Sequence, residues 1–495
     1  MADVLIQKLN ELYVRIQTDK GIEYEMYEHF SYYVEGYKYM PKYKSGVWDG
    51  KIRLYSIKTK SIYSGLTHEI IKFCERYGYT YDVDARLKPL NVIQDLKEFK
   101  KNIPSICKLD PYDYQMDALL AATIENKTLI LSPTGSGKSL IIYLMIRFLL
   151  NIIEENVLIV VPTTTLVEQL SKDFDSYDPD GIFSESCHKI YSGKEKHTNK
   201  RVTITTWQSV FRLPAEWFST YGAVIVDEAH QADSSSITGI VDKMPHARFR
   251  TGLTGTLDGT KSHELFMRGI FGKVIKTTTT RKLMDDGKLA DLDVCMFKLK
   301  YPKDECKAVT KLKYQDEIKY LVYHDKRNKF LVNLSMSYDN NTLLLFNFVG
   351  NHGKKIFEMA QSRAEKMGKQ VYLIHGETPV EERERIRALV ETDNNIVIYA
   401  SSGVFSTGIN MKNLHVVIFA HPYKSKIRNL QSIGRGLRTS SGKTKALLVD
   451  VCDDFTYNER HNTAYDHSIA RLKIYESEQF NYTIKDIEIQ SDIPE

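Results

Sequence analysis

The chain has 495 residues, 42% of them hydrophobic, enough for about three or four domains at roughly 150 residues each. Its net charge of +5 comes from 68 basic and 63 acidic residues, too small an excess to mark the whole chain as a polyanion binder, so any such surface must be local. The most apolar window, Leu140 to Ile153, is too short to span a bilayer. The N-terminus lacks the uninterrupted apolar core of a secretory signal, and the scattered cysteines form no C-x-x-C pair; a cytoplasmic, non-zinc protein is expected.

Residues 1–95 read as a small mixed α/β domain. Val4–Ile6, Tyr13–Ile16 and Ile52–Tyr55 are predicted strands; Glu23–Tyr33 and His68–Tyr77 are predicted helices. Between Tyr37 and Tyr55, Lys38, Lys42, Lys44, Lys51 and Arg53 are interleaved with Tyr39, Tyr43 and Trp48, and only Asp49 is acidic. Bases stack on aromatic faces while cations neutralise phosphates, so the mixture suits nucleic acid. An aromatic core flanked by solvated lysines explains the same residues equally well.

Leu87–Lys108 reads as a charged connector carrying Pro89 and Pro104. Two runs of short apolar strands alternating with helices follow. The first has strands at 128–131, 157–161, 202–205, 223–226 and 250–253. The second has strands at 342–346, 370–374, 396–399, 416–419 and 446–449. Such alternation implies two tandem parallel sheets, each covered on both faces. The lysine-rich stretch from Thr277 to about Lys326 is read as a link with a helix at Val309–Tyr320, and the tail from Tyr457 as helical. The predicted division is 1–95, 96–280, 281–456 and 457–495.

The organising motif is Ser132-Pro133-Thr134-Gly135-Ser136-Gly137-Lys138-Ser139, set between a predicted strand and a predicted helix. Glycines let backbone N–H groups approach phosphate oxygens, the helix N-terminus adds partial positive charge, and Lys138 adds a full one. Ser139 is placed to hold Mg²⁺. Ser132 stands where the general pattern has glycine; the tight turn falls on Gly135 and Gly137. Asp227-Glu228-Ala229-His230 follows another apolar strand, where a parallel sheet gathers its ligands. Asp227 is the candidate second metal residue and Glu228 the candidate general base. In Gln431-Ser432-Ile433-Gly434-Arg435-Gly436-Leu437-Arg438, the two arginines share one predicted helix face and suit a γ-phosphate.

These motifs, in this order, resemble superfamily 2 helicases. Ser132–Ser139 resembles motif I, Asp227–His230 motif II in its D-E-A-H form, and Gln431–Arg438 motif VI. Tyr114-Gln115 resembles the Q motif, which implies adenine recognition. Pro162–Gln169 resembles motif Ia and Thr205–Ser209 motif Ic, which implies backbone contacts to nucleic acid through Thr163, Thr164, Thr206 and Trp207. Thr254-Gly255-Thr256 stands where motif III couples hydrolysis to movement. His375-Gly376 resembles motif IVa. Ser401–Asn410 resembles motif V, which implies a DNA contact at Ser401 and ATP contacts at Gly408 and Asn410, the last an asparagine where aspartate is commoner.

A closer resemblance is to the UvsW-type helicases of large tailed phages. It is carried by Pro41–Leu54, Glu216–Phe218, Arg281–Gly287 and Gly403–Ile409, and fades beyond about Asn458. It implies two RecA-like domains behind a small N-terminal α/β DNA-binding domain, with Lys42, Lys44, Trp48, Lys51 and Arg53 on DNA. It also implies ATP and Mg²⁺ as cofactors and activity on branched DNA in recombination, repair and replication, with RNA–DNA hybrids as further substrates. Recombination or single-strand-binding proteins are candidate partners, and a monomer in the host cytoplasm is expected. An ATP-switched branched-DNA binder or annealing factor, and an RNA helicase, stand as alternatives.

Overall fold

The computed structural model describes residues 2–490 except 35, 90, 180, 192, 232–233, 256, 258–260, 405–410, 412 and 423–444. The fold is α/β, in two compact units. One comprises Met1–Ser132 and Gly137–Thr278; the other comprises Pro133–Ser136 and Thr279–Glu495. Among the described residues no helix is long and apolar enough to cross a membrane.

The first unit begins with β1 (Val4–Lys8) and β2 (Tyr13–Thr18), an antiparallel pair closed by Asn10, whose Oδ1 accepts the N–H groups of Leu12 and Tyr13 at 2.8 Å. The next helix spans Lys20–His29. Asp19 caps it by accepting from Gly21 and Ile22, and it ends where the Ser31 hydroxyl donates to the Glu28 carbonyl. The helix expected over Glu23–Tyr33 is therefore a helix followed by a strand, β3 (Ser31–Tyr33), which pairs with β4 (Lys51–Arg53). The run of tyrosines, compatible with either state, hid the break. After β5 (Ser61–Tyr63), the helix Thr67–Tyr77 and β6 (Tyr81–Val83), the sheet order is β5-β2-β1-β6. One sheet face, with Val4, Ile6, Val14, Ile16 and Ile62, is fully buried in this domain's core.

The expected connector at Leu87–Lys108 contains a helix, Ile93–Ile106, with Leu96, Phe99 and Ile103 buried. Pro104 lies inside this helix, in its last turn, two residues before its end. The first large sheet follows: β7 (Lys127–Leu131), β8 (Asn156–Val161), β9 (Cys187–Ile190), β10 (Val202–Thr206), β11 (Tyr221–Val226), β12 (Phe249–Thr254) and β13 (Lys273–Lys276). All pairs are parallel, in the order β13-β7-β12-β11-β8-β10-β9. The central strands are buried on both faces, as double coverage by helices requires, with threonines and Arg250 among their mostly apolar residues. The edge strands β9 and β13 carry lysines and histidine, and this polarity kept them out of the sequence reading.

The second sheet holds β14 (Asp291–Lys300), β15 (Thr342–Phe346), β16 (Gln370–Ile374), β17 (Ile396–Ser401), β18 (Val416–Phe419), β19 (Lys445–Asp454) and β20 (Asn481–Glu488). It is parallel among the described strands, in the order β16-β17-β15-β18-β19-β14-β20. Two expectations change here. The link at Thr277–Lys326 contains strand β14 and helices at Thr280–Asp285, Lys303–Val309 and Tyr314–Tyr323, where one helix at Val309–Tyr320 was expected. The helical tail is a helix, Thr463–Ser477, followed by edge strand β20. β20 is mostly exposed and mixes charged with apolar residues; it pairs with β14 along its backbone, and Ile487 packs against the core. The tail helix is pinned by a bidentate pair inside the unit, Arg471 to Asp450, with Nε and Nη2 each 2.7 Å from carboxylate oxygens.

Candidate active site

In the first sheet β12 lies between β7 and β11, so three motifs end side by side. The phosphate loop leaves β7, Thr254 ends β12, and Asp227-Glu228 leave β11. Gly135 (φ +84°) and Gly137 (φ +76°) take the left-handed conformation that the turn requires. Gly137 is the N-cap of the long helix Lys138–Ile152, whose first N–H groups are thereby aimed at the loop. The Ser136 hydroxyl donates to the Pro133 carbonyl at 2.7 Å.

Lys138 bridges two motifs. Its Nζ lies 3.3 Å from the Ser132 carbonyl and 3.6 Å from Glu228 Oε1. Glu228 also sits 3.4 Å from His230 Nδ1, and the same nitrogen is 2.6 Å from Thr254 Oγ1. Glu228 has φ +48°, a conformation rare for a residue with a side chain; its N–H is held by Asp227 Oδ1 at 2.9 Å. Strain of this kind gathers where a side chain must be aimed. Asp227 is partly buried at the end of β11. Burial, then the Glu228 carboxylate, push its pKa well above the usual carboxylate range, and Lys138 pulls it partly back. The Asp227 carboxylate and the Ser139 hydroxyl are both oxygen donors, the kind that suits Mg²⁺. Ser139 Oγ also lies 2.8 Å from the Tyr177 hydroxyl.

Gln115 is 2% exposed. Its Oε1 accepts the Tyr112 N–H at 2.9 Å and its Nε2 reaches the Gly137 carbonyl at 3.4 Å, so it braces the loop from behind. Tyr112 stacks on Tyr114 at 5.6 Å and stays half exposed. Tyr112 and Tyr177 went unnoticed in the sequence. Tyr112 has a signal, an aromatic three residues before the glutamine; Tyr177 has none.

The expected nucleic-acid contacts divide. Thr163 caps the helix Thr164–Tyr177, accepting from Leu166 N, and Thr164 is exposed beside it. The Trp207 side chain is buried in the core, so only its backbone is left for the expected sugar-phosphate contact. Thr206 and Ser401 are buried as well, and the Thr206 hydroxyl is bonded to Ser209 at 2.9 Å, so only the backbone there is available. In the N-terminal domain Lys42 and Lys44 are exposed. Lys51 is paired with Glu28 at 2.5 Å and Arg53 with Asp49 at 2.5 Å, while the Trp48 indole donates to the Lys51 carbonyl. Gly255 directly follows β12. Thr256, Gly408, Asn410, Gln431, Arg435 and Arg438 lie outside the described residues.

Residues 3–84 match the profile "DNA helicase UvsW, N-terminal", 108–259 match "Type III restriction enzyme, res subunit", and 325–440 match "Helicase conserved C-terminal domain". The ATP-dependent DNA helicase uvsW of Enterobacteria phage T4 is 35% identical over 96% of this chain and 98% of its own. The chain belongs to the UvsW helicase family. The crystal structure of T4 UvsW aligns over 98% of this chain and 99% of its own, at 32% identity and TM-score 0.53. A second crystal structure of the T4 UvsW helicase covers 55% of this chain and 99% of its own, at 31% identity and TM-score 0.52. UvsW kinship thus runs through the N-terminal domain as well as the motor sheets.

Proposed function

We propose that this chain is an ATP-driven DNA helicase acting on branched DNA, such as four-way junctions, stalled forks, D-loops and R-loops, in recombination, repair and replication. One observation carries the reading: Lys138, Glu228, His230 and Thr254 form a connected chain of contacts across three strand ends. Such a chain links nucleotide chemistry to the body of the domain. It stands in a molecule that resembles UvsW over nearly its whole length.

ATP is the fuel, and Mg²⁺ when bound neutralises phosphate charge; Ser139 and Asp227 are the residues to hold it. Lys138 leaves Glu228 to take a phosphate oxygen. Glu228, released, accepts the proton of the attacking water at its carboxylate. Gln431, Arg435 and Arg438 are assigned to the charge that develops on the γ-phosphate. Thr163, Thr164 and the backbone at Thr206 and Ser401 hold sugar-phosphate, so binding is sequence-independent and weakens with salt. Lys42, Lys44 and their aromatic neighbours meet the duplex arm or junction. Contacts that change with the nucleotide do work only through differential affinity for DNA.

The test is ATP-dependent processing of a fork, a four-way junction, a plain duplex and a DNA–RNA hybrid, side by side. Preferential processing of the branched substrates is expected. Phosphate release without strand separation on any of them would point to a switch or annealing factor, and preference for RNA duplexes to an RNA helicase.

A further inference from the structure

The N-terminal sheet has a second face. Along β2, Val14 and Ile16 point into the core, so Tyr13 and Arg15 point the other way; along β5, Ile62 is buried and Ser61 and Tyr63 share the Tyr13 side. This face is one wall of a groove of about 1000 Å³. The β3–β4 ribbon supplies Tyr32, Ile52 and Arg53, and the far wall is Thr238, Asp242 and Phe266 of the first motor domain. The walls are fixed to each other. The Tyr13 hydroxyl donates to Asp242 at 2.9 Å, Arg268 pairs with Glu69 at 2.9 Å, and Gly65 lies so close to the Arg268 and Gly269 carbonyls that no side chain would fit there.

We propose that this groove holds a short single-stranded segment of nucleic acid, roughly two or three nucleotides, at the upper end of the sizes of small-molecule pockets. Three tyrosines and a phenylalanine line it, and rings of this kind stack on unpaired bases of any sequence. A duplex keeps its base faces inside its own stack and offers none to them. Charge selects the same occupant. The Arg15 guanidinium, exposed at the groove, has no ion-pair partner among the described residues. On the ribbon side Arg53 lines the groove, shared by Asp49 and Glu28, and Lys58 and Lys60 flank the lining residue Thr59. Within the helicase reading, on which this rests for its choice of DNA, the groove takes the unpaired arm of a branch while the motor domains take the backbone. Unpaired DNA is then distinguished from duplex by a site rigidly joined to the motor.

The experiment uses the full chain with a labelled short oligothymidylate and a blunt duplex. Tyr32→Ala and Arg15→Ala should each weaken oligothymidylate binding about tenfold, and Tyr32→Phe should retain it. Duplex-stimulated ATP turnover should stay at the wild-type rate in all three. Unchanged oligothymidylate affinity in both alanine variants overturns the proposal. So does an equal loss on the blunt duplex, or displacement of the probe by polyglutamate in place of unlabelled oligothymidylate. With iodouracil in the probe, photo-crosslinks to Tyr32 or Tyr63 support it, and crosslinks confined to other segments refute it. Arg15→Ala alters an exposed side chain and leaves the walls intact, which guards against misfolding. A wild-type chain without DNA-stimulated turnover, but with Tyr32-dependent oligothymidylate binding, would sink the helicase reading and leave the groove standing.

Discussion

The Nδ1 of His230 lies 2.6 Å from Oγ1 of Thr254, and the Thr254 carbonyl accepts the N–H of Ser132 at 2.9 Å. Thr254 therefore touches the carboxylate motif with its side chain and the phosphate loop with its backbone. Thr254→Val keeps the backbone bond and deletes the other. The expected outcome is near-normal DNA binding, phosphate release reduced severalfold, and strand separation reduced more. Phosphate release and strand displacement measured in the same tube check this; equal losses would mean that the contact serves chemistry alone.

The Lys138–Glu228 contact gives two predictions of opposite sign for binding. Lys138→Ala removes the cation that meets the phosphates, so ATP turnover should vanish while some DNA binding remains. Glu228→Gln removes the proton acceptor but also the anion that competes for Lys138. Turnover should fall by about 10²–10⁴ while ATP affinity holds or rises. Equilibrium nucleotide binding and steady-state phosphate release on both variants decide it.

Arg435→Ala and Arg438→Ala should slow hydrolysis by up to roughly 10³-fold while leaving ATP affinity nearly intact, because a residue that answers developing charge acts on the transition state. Single-turnover hydrolysis beside nucleotide binding separates the effects. Equal losses in both would remove the arginines from that role.

Trp207→Ala should behave as a core truncation. A loss of about 3–5 kcal/mol in stability is expected, seen in chemical denaturation, without a selective effect on the salt dependence of DNA binding. A stable variant with a reduced salt slope would return Trp207 to the nucleic-acid surface.

Lys127 lies near the fully buried Arg250, whose guanidinium nitrogens have no hydrogen-bond partner among the described residues, and 3.8 Å from Glu11. Burial first, then Arg250, depress its pKa from the ordinary 10.5 to about 7, against the pull of Glu11. Between those values the unfolded chain binds a proton that the folded chain does not, so this group makes stability rise with pH. Its cost is greatest below about pH 7 and gone above 10.5. Lys127→Met should raise the thermal midpoint at pH 7 and flatten its rise toward pH 9, as thermal melts across that range would show.

The two parallel sheets and the phosphate loop were legible because central strands are continuous apolar runs and the loop has its own glycines. What escaped was whatever escapes hydrophobic pattern. The polar edge strands β9, β13 and β20 are held by backbone pairing. In β14, lysines and aspartates at both ends masked the buried Val294, Cys295 and Met296. Pro104, a helix breaker by rule, read as a linker residue but lies inside the helix Ile93–Ile106. At the site, candidate residues were picked out by motif, but composition does not tell a ring that faces solvent from one that fills a core. The burial of the Trp207 ring was not visible for that reason, and Tyr177 was found only once the fold had brought it beside Ser139.

The position of β14 has a bearing on how the protein is made. It is hydrogen-bonded to β19 on one side and β20 on the other, with Asp291 opposite Lys445 and Asp293 opposite Asn481. A ribosome delivers β14 long before either neighbour, so that strand must wait, both edges bare, while the first sheet, complete at Lys276, can already close. The nascent chain thus acquires its phosphate loop and its N-terminal groove before its second motor half exists, and the interval leaves one apolar strand in need of shelter.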